Sequence, residues 1–185
     1  MVLGLFTELM SSGGIQRTSL HAAAALVDFA RRKERPVRLL SLNDPLGRRE
    51  LAVADWDRVI AVNLRGTFLC SKFALEPMLA RGQGWIVNIS SGAGKRGAAT
   101  RTAYSAAKFG IIGLTEALDA EVRRQGVRLH VICPGPVESR MRREGYPDED
   151  PATLAQPEDV ADAVLFCLLQ SPSAYTREVL VMPGR

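Results

Sequence analysis

Two kinds of segment alternate along this sequence, and that alternation is what most limits the folds open to it. VRLLSL (37–42), WIVNIS (85–90), VRLHVIC (127–133) and EVLVM (178–182) are apolar almost throughout, not at every second residue. Strands read this way when both faces of their sheet are covered. Helical patterns lie between and around them, at 18–33, 55–82, 102–126 and 157–170. The first opens on Thr18 or Ser19 as cap; the second is expected to take Asp55 as cap, bend or shorten at Pro77, and stop at Gly82. The alternation predicts an α/β protein, a doubly wound parallel sheet with helices on both faces, in a single domain over residues 1–185.

The remaining bulk features narrow the class. The longest stretch without Asp, Glu, Lys or Arg is 14 residues, Ala163 to Thr176, shorter than the roughly 20 a membrane-spanning helix needs. MVLGLFTELM lacks the basic start and small-residue cleavage site of a secretory signal, so the expectation is no membrane and a cytoplasmic protein. Cys70, Cys133 and Cys167 sit singly in apolar surroundings and read as buried reduced thiols, with no metal-type spacing. Residues 1–143 hold 22 basic and 12 acidic side chains and residues 144–185 hold 2 and 8. The basic ones are scattered, with few aromatics among them, which reads as solvated surface and predicts no nucleic-acid partner.

In a parallel sheet, ligands bind beyond the carboxyl ends of the strands. The segments there are NDPLG, SSGAGKRG and PGPVES. Just after the second lies AYSAAK, in which Tyr104 and Lys108 are four apart in a helix, on one face and one turn from each other. A phenol is a poor base at neutral pH, and an ammonium nearby favours its ionised form, so the pair can pass a proton to or from a substrate oxygen. Ser91, thirteen residues before Tyr104, can hold that oxygen by a hydrogen bond. Alone, a Tyr-Lys pair is also what surface helices carry for solubility.

The stretch GWIVNISSGAG followed by AYSAAKFG resembles the active-site signature of the short-chain dehydrogenase/reductase family. DWDRVIAVNLRGTFLCSK, ICPGPVESRM and PEDVADAVLFCL are similar to three further segments of that family, in the family's order, so that the likeness covers roughly residues 20 to 182. The resemblance implies a Rossmann-like fold and an NAD- or NADP-dependent oxidoreductase that moves hydride between nicotinamide and a small carbonyl/alcohol substrate. It implies that Tyr104 is the acid/base, that Lys108 tunes it and holds the nicotinamide ribose, that Ser91 orients the substrate, and that Asn63 supports a proton-relay water. It implies cofactor contacts at Asn43, Tyr104, Lys108, Pro134, Gly135, Val137, which packs on the nicotinamide, and Ser139, where the family usually has Thr. The loop from Glu138 to Gln156 stands where family members have a substrate lid. A homo-oligomer is implied through helices 55–81 and 102–125, with Phe68, Leu75, Ile111, Leu114 and Leu118 available to bury.

The N-terminal part departs from the family. Its Thr-Gly-x-x-x-Gly-x-Gly turn, which cradles a pyrophosphate, is matched only by TELMSSGGIQ (7–16), which lacks the second-position glycine and ends in Gln16. VRLLSLNDPLG aligns better with the family's fourth strand, leaving Asn43 in its Asn-Asn-Ala-Gly motif. On that register the chain reads as an N-terminally truncated or degenerate member, a single incomplete domain lacking the first β-α units, with residues 1–17 atypical and VLGLF expected to patch the exposed sheet edge with one strand. The alternative to the enzyme is a catalytically silent scaffold or dimerisation partner that has lost dinucleotide binding.

Overall fold

The computed structural model describes residues 2–5, by their backbone, and 52–184. The expected helix at 18–33, the strand at 37–42, the 7–16 segment and Asn43 lie outside the described residues. Strand β1 is Val2–Leu5, followed by helix α1 (Val53–Ile60), a π-helical segment (Ala61–Arg65) and α2 (Gly66–Arg81). Then come β2 (Gly84–Ile89), α3 (Thr102–Val122), β3 (Val127–Pro134), the short α4 (Arg140–Gly145), α5 (Pro157–Leu168) and β4 (Glu178–Val181).

The four described strands form one sheet in the order β1-β2-β3-β4, every neighbouring pair parallel. Leu3 sits opposite Ile86, so VLGL does add a strand beside β2. The continuous apolar runs follow from the layers. Ile86, Leu129, Val131 and Cys133 are covered by α2 and α3, whereas Val87, Ile89 and Ile132 are covered by α5. A residue of either parity is therefore buried, which is the doubly wound architecture. The steps from β2 to β3 and from β3 to β4 run the same way along the sheet, yet α3 and α5 lie on opposite faces. The two crossovers thus have opposite hands, one of them the rare left hand. The long excursion between β3 and α5 gives the chain room to change faces.

Four expectations need correction. Helix α1 begins at Ala52 as N-cap, and Asp55 lies within its first turn, where a carboxylate meets the positive end of the helix. The helix expected over 55–82 is not uniform but widens at Ala61–Arg65. Pro77 does not end or shorten α2, which continues to Arg81; Pro77 and Phe73, whose carbonyl loses its donor, both face solvent, so water can serve that carbonyl. Leu75 and Ile111 are not free for a partner, because each is buried against the chain's own sheet. The large apolar groups that α2 and α3 leave exposed are Phe68, Phe73 and Phe109.

Two glycines end the helices that precede β2 and β3. Gly82 caps α2 with φ 65° and Gly126 stands after α3 with φ 84°, both in the left-handed region. These turns touch: a Cβ on Gly126 would lie 1.9 Å from the Gly82 carbonyl oxygen, and the Gly84 N–H donates to the Gly126 carbonyl at 3.3 Å.

Candidate active site

The ends of β2 and β3 that face the loops carry the site. β2 runs into Ser90 and Ser91, and Ser91 then caps a tight turn, Gly92–Gly94, its Oγ accepting the Ala93 N–H at 3.1 Å. That bond uses an acceptor site and leaves the Ser91 hydroxyl proton to donate. Ser90 does something different, since its buried Oγ donates to the Lys108 carbonyl at 2.8 Å and fastens the strand end to α3. A Cβ on Gly94 would come within 2.5 Å of Ser90 Oγ and 2.8 Å of the Lys108 carbonyl oxygen. The serine turn therefore lies directly on the backbone of α3.

Tyr104 and Lys108 occupy successive turns of α3, with Nζ of Lys108 5.3 Å from the centre of the Tyr104 ring. Lys108 is only 1% exposed, and its ammonium donates to the Ile89 carbonyl at 3.3 Å, at the very end of β2. A buried ammonium is costly unless its charge is used or matched. Its position next to a phenol ring and a strand-end carbonyl concentrates positive potential where a phenolate or a substrate oxygen would develop negative charge.

Asn63 lies in the π-helical segment, and the local reason for that widening is visible. Asn63 Nδ2 donates to the Val59 carbonyl at 3.0 Å, while Thr67 Oγ1 donates to the Asn63 carbonyl at 2.6 Å. Side chains thus compete for the carbonyls that a regular α-helix would use, and such widenings recur at functional sites. The segment faces α3: Leu64 packs against the cluster of Val59, Ala103 and Ala107, and a Cβ on Gly110 would meet Leu64 Cδ2 at 2.7 Å.

The third group of expected residues follows β3. Pro134 ends the strand, and the Gly135 N–H donates to the Val181 carbonyl at 2.7 Å, extending the ladder with β4 by one residue. A Cβ on Gly92 would be 3.6 Å from the Pro134 carbonyl oxygen, so the turns after β2 and β3 adjoin. Val137 is half-buried against the Val87–Ile89–Ile132 cluster and bridges to Ala155. Ser139 caps α4, its Oγ accepting the Arg142 N–H at 3.1 Å. Ser91, Tyr104, Lys108, Pro134 and Gly135 thus gather at one end of the sheet, whereas Val137 and Ser139 lie on the segment that leaves it.

The described residues fit the nicotinamide-ribose half of a dinucleotide. An ammonium and a phenol hydroxyl on one helix face are donors suited to sugar hydroxyls, and the turns that carry Gly92 and Gly135 adjoin beside them. Sequence reading missed that Gly94 and Ser90 fix the serine turn to α3. Their signal was the small-residue run SSGAG itself, since only small side chains allow a loop to lie against a helix backbone. Among the described residues no His/Cys/Asp/Glu group could hold a metal ion, and no helix is long and apolar enough to cross a membrane.

Comparison with known proteins agrees with this arrangement. Residues 15–150 match the family model for short chain dehydrogenase. The chain is 39% identical over 145 residues to 2-(S)-hydroxypropyl-CoM dehydrogenase 3 of Xanthobacter autotrophicus, covering 71% of this chain and 57% of that protein. It is 38% identical over 146 residues to the inactive 2-(S)-hydroxypropyl-CoM dehydrogenase 2 of the same organism, covering 71% and 64%. A crystal structure of a 3-oxoacyl-(acyl-carrier protein) reductase with bound NAD from Brucella melitensis superposes with a TM-score of 0.61 at 34% identity, over 73% of this chain and 53% of that one. The chain spans less than two thirds of each of these proteins. With a family match over residues 15–150 and relatives at this level of identity, the chain belongs to the short chain dehydrogenase family.

Proposed function

We propose that this chain is an NAD- or NADP-dependent oxidoreductase acting on a small carbonyl/alcohol pair, in the cytoplasm. The observation that carries the reading is the buried Lys108 ammonium 5.3 Å from the Tyr104 ring, at the carboxyl end of β2 and under the serine turn. The nicotinamide would supply the hydride exchange with carbon. The chain's own residues handle the oxygen. Ser91 donates its hydroxyl proton to the substrate oxygen and so fixes which carbon faces the cofactor site. Tyr104 gives a proton to that oxygen in reduction, or takes one in oxidation. Lys108 stabilises the phenolate that remains, and with Tyr104 it holds the ribose. Asn63 keeps the widened helix turned toward α3 and supports the water through which Lys108 recovers its proton. Pro134, Gly135, Val137 and Ser139 line the nicotinamide side, and Asn43 is a further cofactor contact.

Two measurements test this together. Fluorescence titration with NADH and NADPH is expected to show saturable binding of one of them, and absence of binding at millimolar concentration overturns the proposal. Tyr104→Phe keeps the ring but loses the proton, so kcat is expected to fall by about 10²- to 10⁴-fold while nucleotide affinity changes little. An unchanged kcat removes Tyr104 from the chemistry.

The second reading is a catalytically silent scaffold. It is favoured by the sequence at 7–16, which departs from the family's pyrophosphate turn, and by the inactive relative at 38% identity, almost that of the relative without that qualifier. In either reading the chain is a homo-oligomer through the helices of 55–81 and 102–125, where Phe68, Phe73 and Phe109 stay exposed.

A further inference from the structure

Helix α3 begins without the usual supports of a helix start. Its N-cap is Arg101, which makes no side-chain cap bond, and its first turn holds no acidic residue. A guanidinium at the positive end of the helix dipole is itself unfavourable. Tyr104 nevertheless stands in that first turn, where a helix has fewest bonds of its own and frays most readily. Something outside the helix must hold it.

Three hydrogen bonds do so, and they close a ring. The Arg101 N–H donates to the Ala98 carbonyl at 3.2 Å, the Ser105 N–H to the Arg101 carbonyl at 2.8 Å, and the Ala98 N–H to Ser105 Oγ at 3.2 Å. The last bond reverses ordinary capping, because a hydroxyl inside the helix reaches back to a backbone donor ahead of it. Thr100 lies within the ring at φ 65°, the one residue other than glycine in the left-handed region among the described residues. A β-branched side chain is strained there and keeps that conformation only where its surroundings hold it. Ser105 is buried, so water competes poorly for the bond that it accepts. One turn further along α3, the Lys108 carbonyl accepts from Ser90 Oγ. The loop that carries Ser91 is thus pinned to α3 at both of its ends, by the Ser90 bond and by the Ala98 bond.

We infer that Ser105 is a positioning residue for the candidate acid/base: its hydroxyl closes the ring that keeps the first turn of α3, and Tyr104 with it, in place beside Lys108 and the Ser91 loop. The inference rests on the proposed role of Tyr104, but its first test does not need activity.

Ser105→Ala suits the test, because alanine is the better helix former and any loosening then comes from the lost acceptor, not from a weakened helix. Hydrogen exchange at the Ala98 amide, whose acceptor is Ser105 Oγ, is expected to speed up by about tenfold, the loss of one hydrogen bond, while the amides of β3 exchange as before. The Tyr104 ring resonance, identified by its disappearance in Tyr104→Phe, is expected to move. Ser105→Thr keeps an acceptor oxygen and is expected to restore both signals. Where turnover is measured, kcat in Ser105→Ala falls by about tenfold and KM for the nucleotide changes by less than about twofold. Unchanged exchange at Ala98 overturns the inference, and so does faster exchange with the Tyr104 resonance in place or with kcat unaltered. Wild-type protein that binds no nucleotide, with exchange and ring resonance responding as expected, would count against the enzyme reading and leave the positioning of Tyr104 by Ser105 standing.

Discussion

At position 126 the backbone and its neighbour together exclude every side chain. The left-handed φ of 84° strains any L-residue, and a Cβ would be driven to 1.9 Å from the Gly82 oxygen. Gly82 shares the left-handed φ, at 65°, but a Cβ there meets nothing within 4 Å. Gly82→Ala is therefore expected to cost about 1 kcal/mol, the strain alone, and Gly126→Ala about 3 kcal/mol or more because the turn must also move. Urea denaturation of the two variants checks this, and equal losses would contradict the contact. Gly94 is constrained by neighbours and not by its own φ, which explains why its role could not be seen in sequence. The letters SSGAG announce a tight turn, but not that a Cβ on Gly94 would be driven to 2.8 Å from the Lys108 backbone. That Tyr104, Lys108 and Ser91 lie together at one sheet end was legible because their spacing is local to one helix and one loop. Asn63 was legible only by resemblance, since its effect, the widening at Ala61–Arg65, arises from hydrogen bonds that compete within the helix.

Among the elements, the described strands and long helices stand where the apolar runs and helical periods put them. β2, α3, β3, α5 and β4 differ from the sequence reading by a few residues at their ends. Faces were less legible. Leu75 and Ile111 read as available on helix surfaces, but which side of a helix meets the sheet depends on packing that periodicity alone does not orient. β3 also carries a group with a pH signature. His130 is fully buried, its Nδ1 donates to the Thr176 carbonyl at 2.7 Å, and its Nε2 has no partner among the described residues. Burial pushes its pKa below the usual value of 6.5, Arg128 pushes the same way, and the Thr176 bond and Asp119 offset this in part. A group kept neutral by folding binds its proton more readily in the unfolded chain. Its contribution to stability is thus full above a pH of about 6.5 and is lost as pH falls through that value. The melting temperature is expected to drop between pH 7 and 5, and His130→Gln to flatten that drop. Protonation of Glu149, whose pKa is lowered by its bond to Arg142, acts in a separate and more acidic window.

For the whole molecule, the exposed phenylalanines make the clearest prediction. Phe73 is 60% exposed and Phe109 46%, on the two helices that pack over one face of the sheet. Burying both across a two-fold contact would remove apolar surface worth several kcal/mol at about 25 cal/mol per Å². Sedimentation equilibrium is expected to show a dimer that Phe73→Glu with Phe109→Glu converts to monomer. A monomeric wild-type chain would remove this surface from consideration.

The bond from Ser90 to the Lys108 carbonyl has one more consequence. It ties the proposed oxygen-handling corner to the sheet, so that corner has little freedom to adapt to what enters. In the proposed reading, tolerance for differently shaped guests falls to the arginine-rich segment beyond β3. Reaction type and guest preference would reside in separable parts of one chain, and exchanging residues 137–155 between relatives should alter the second while sparing the first.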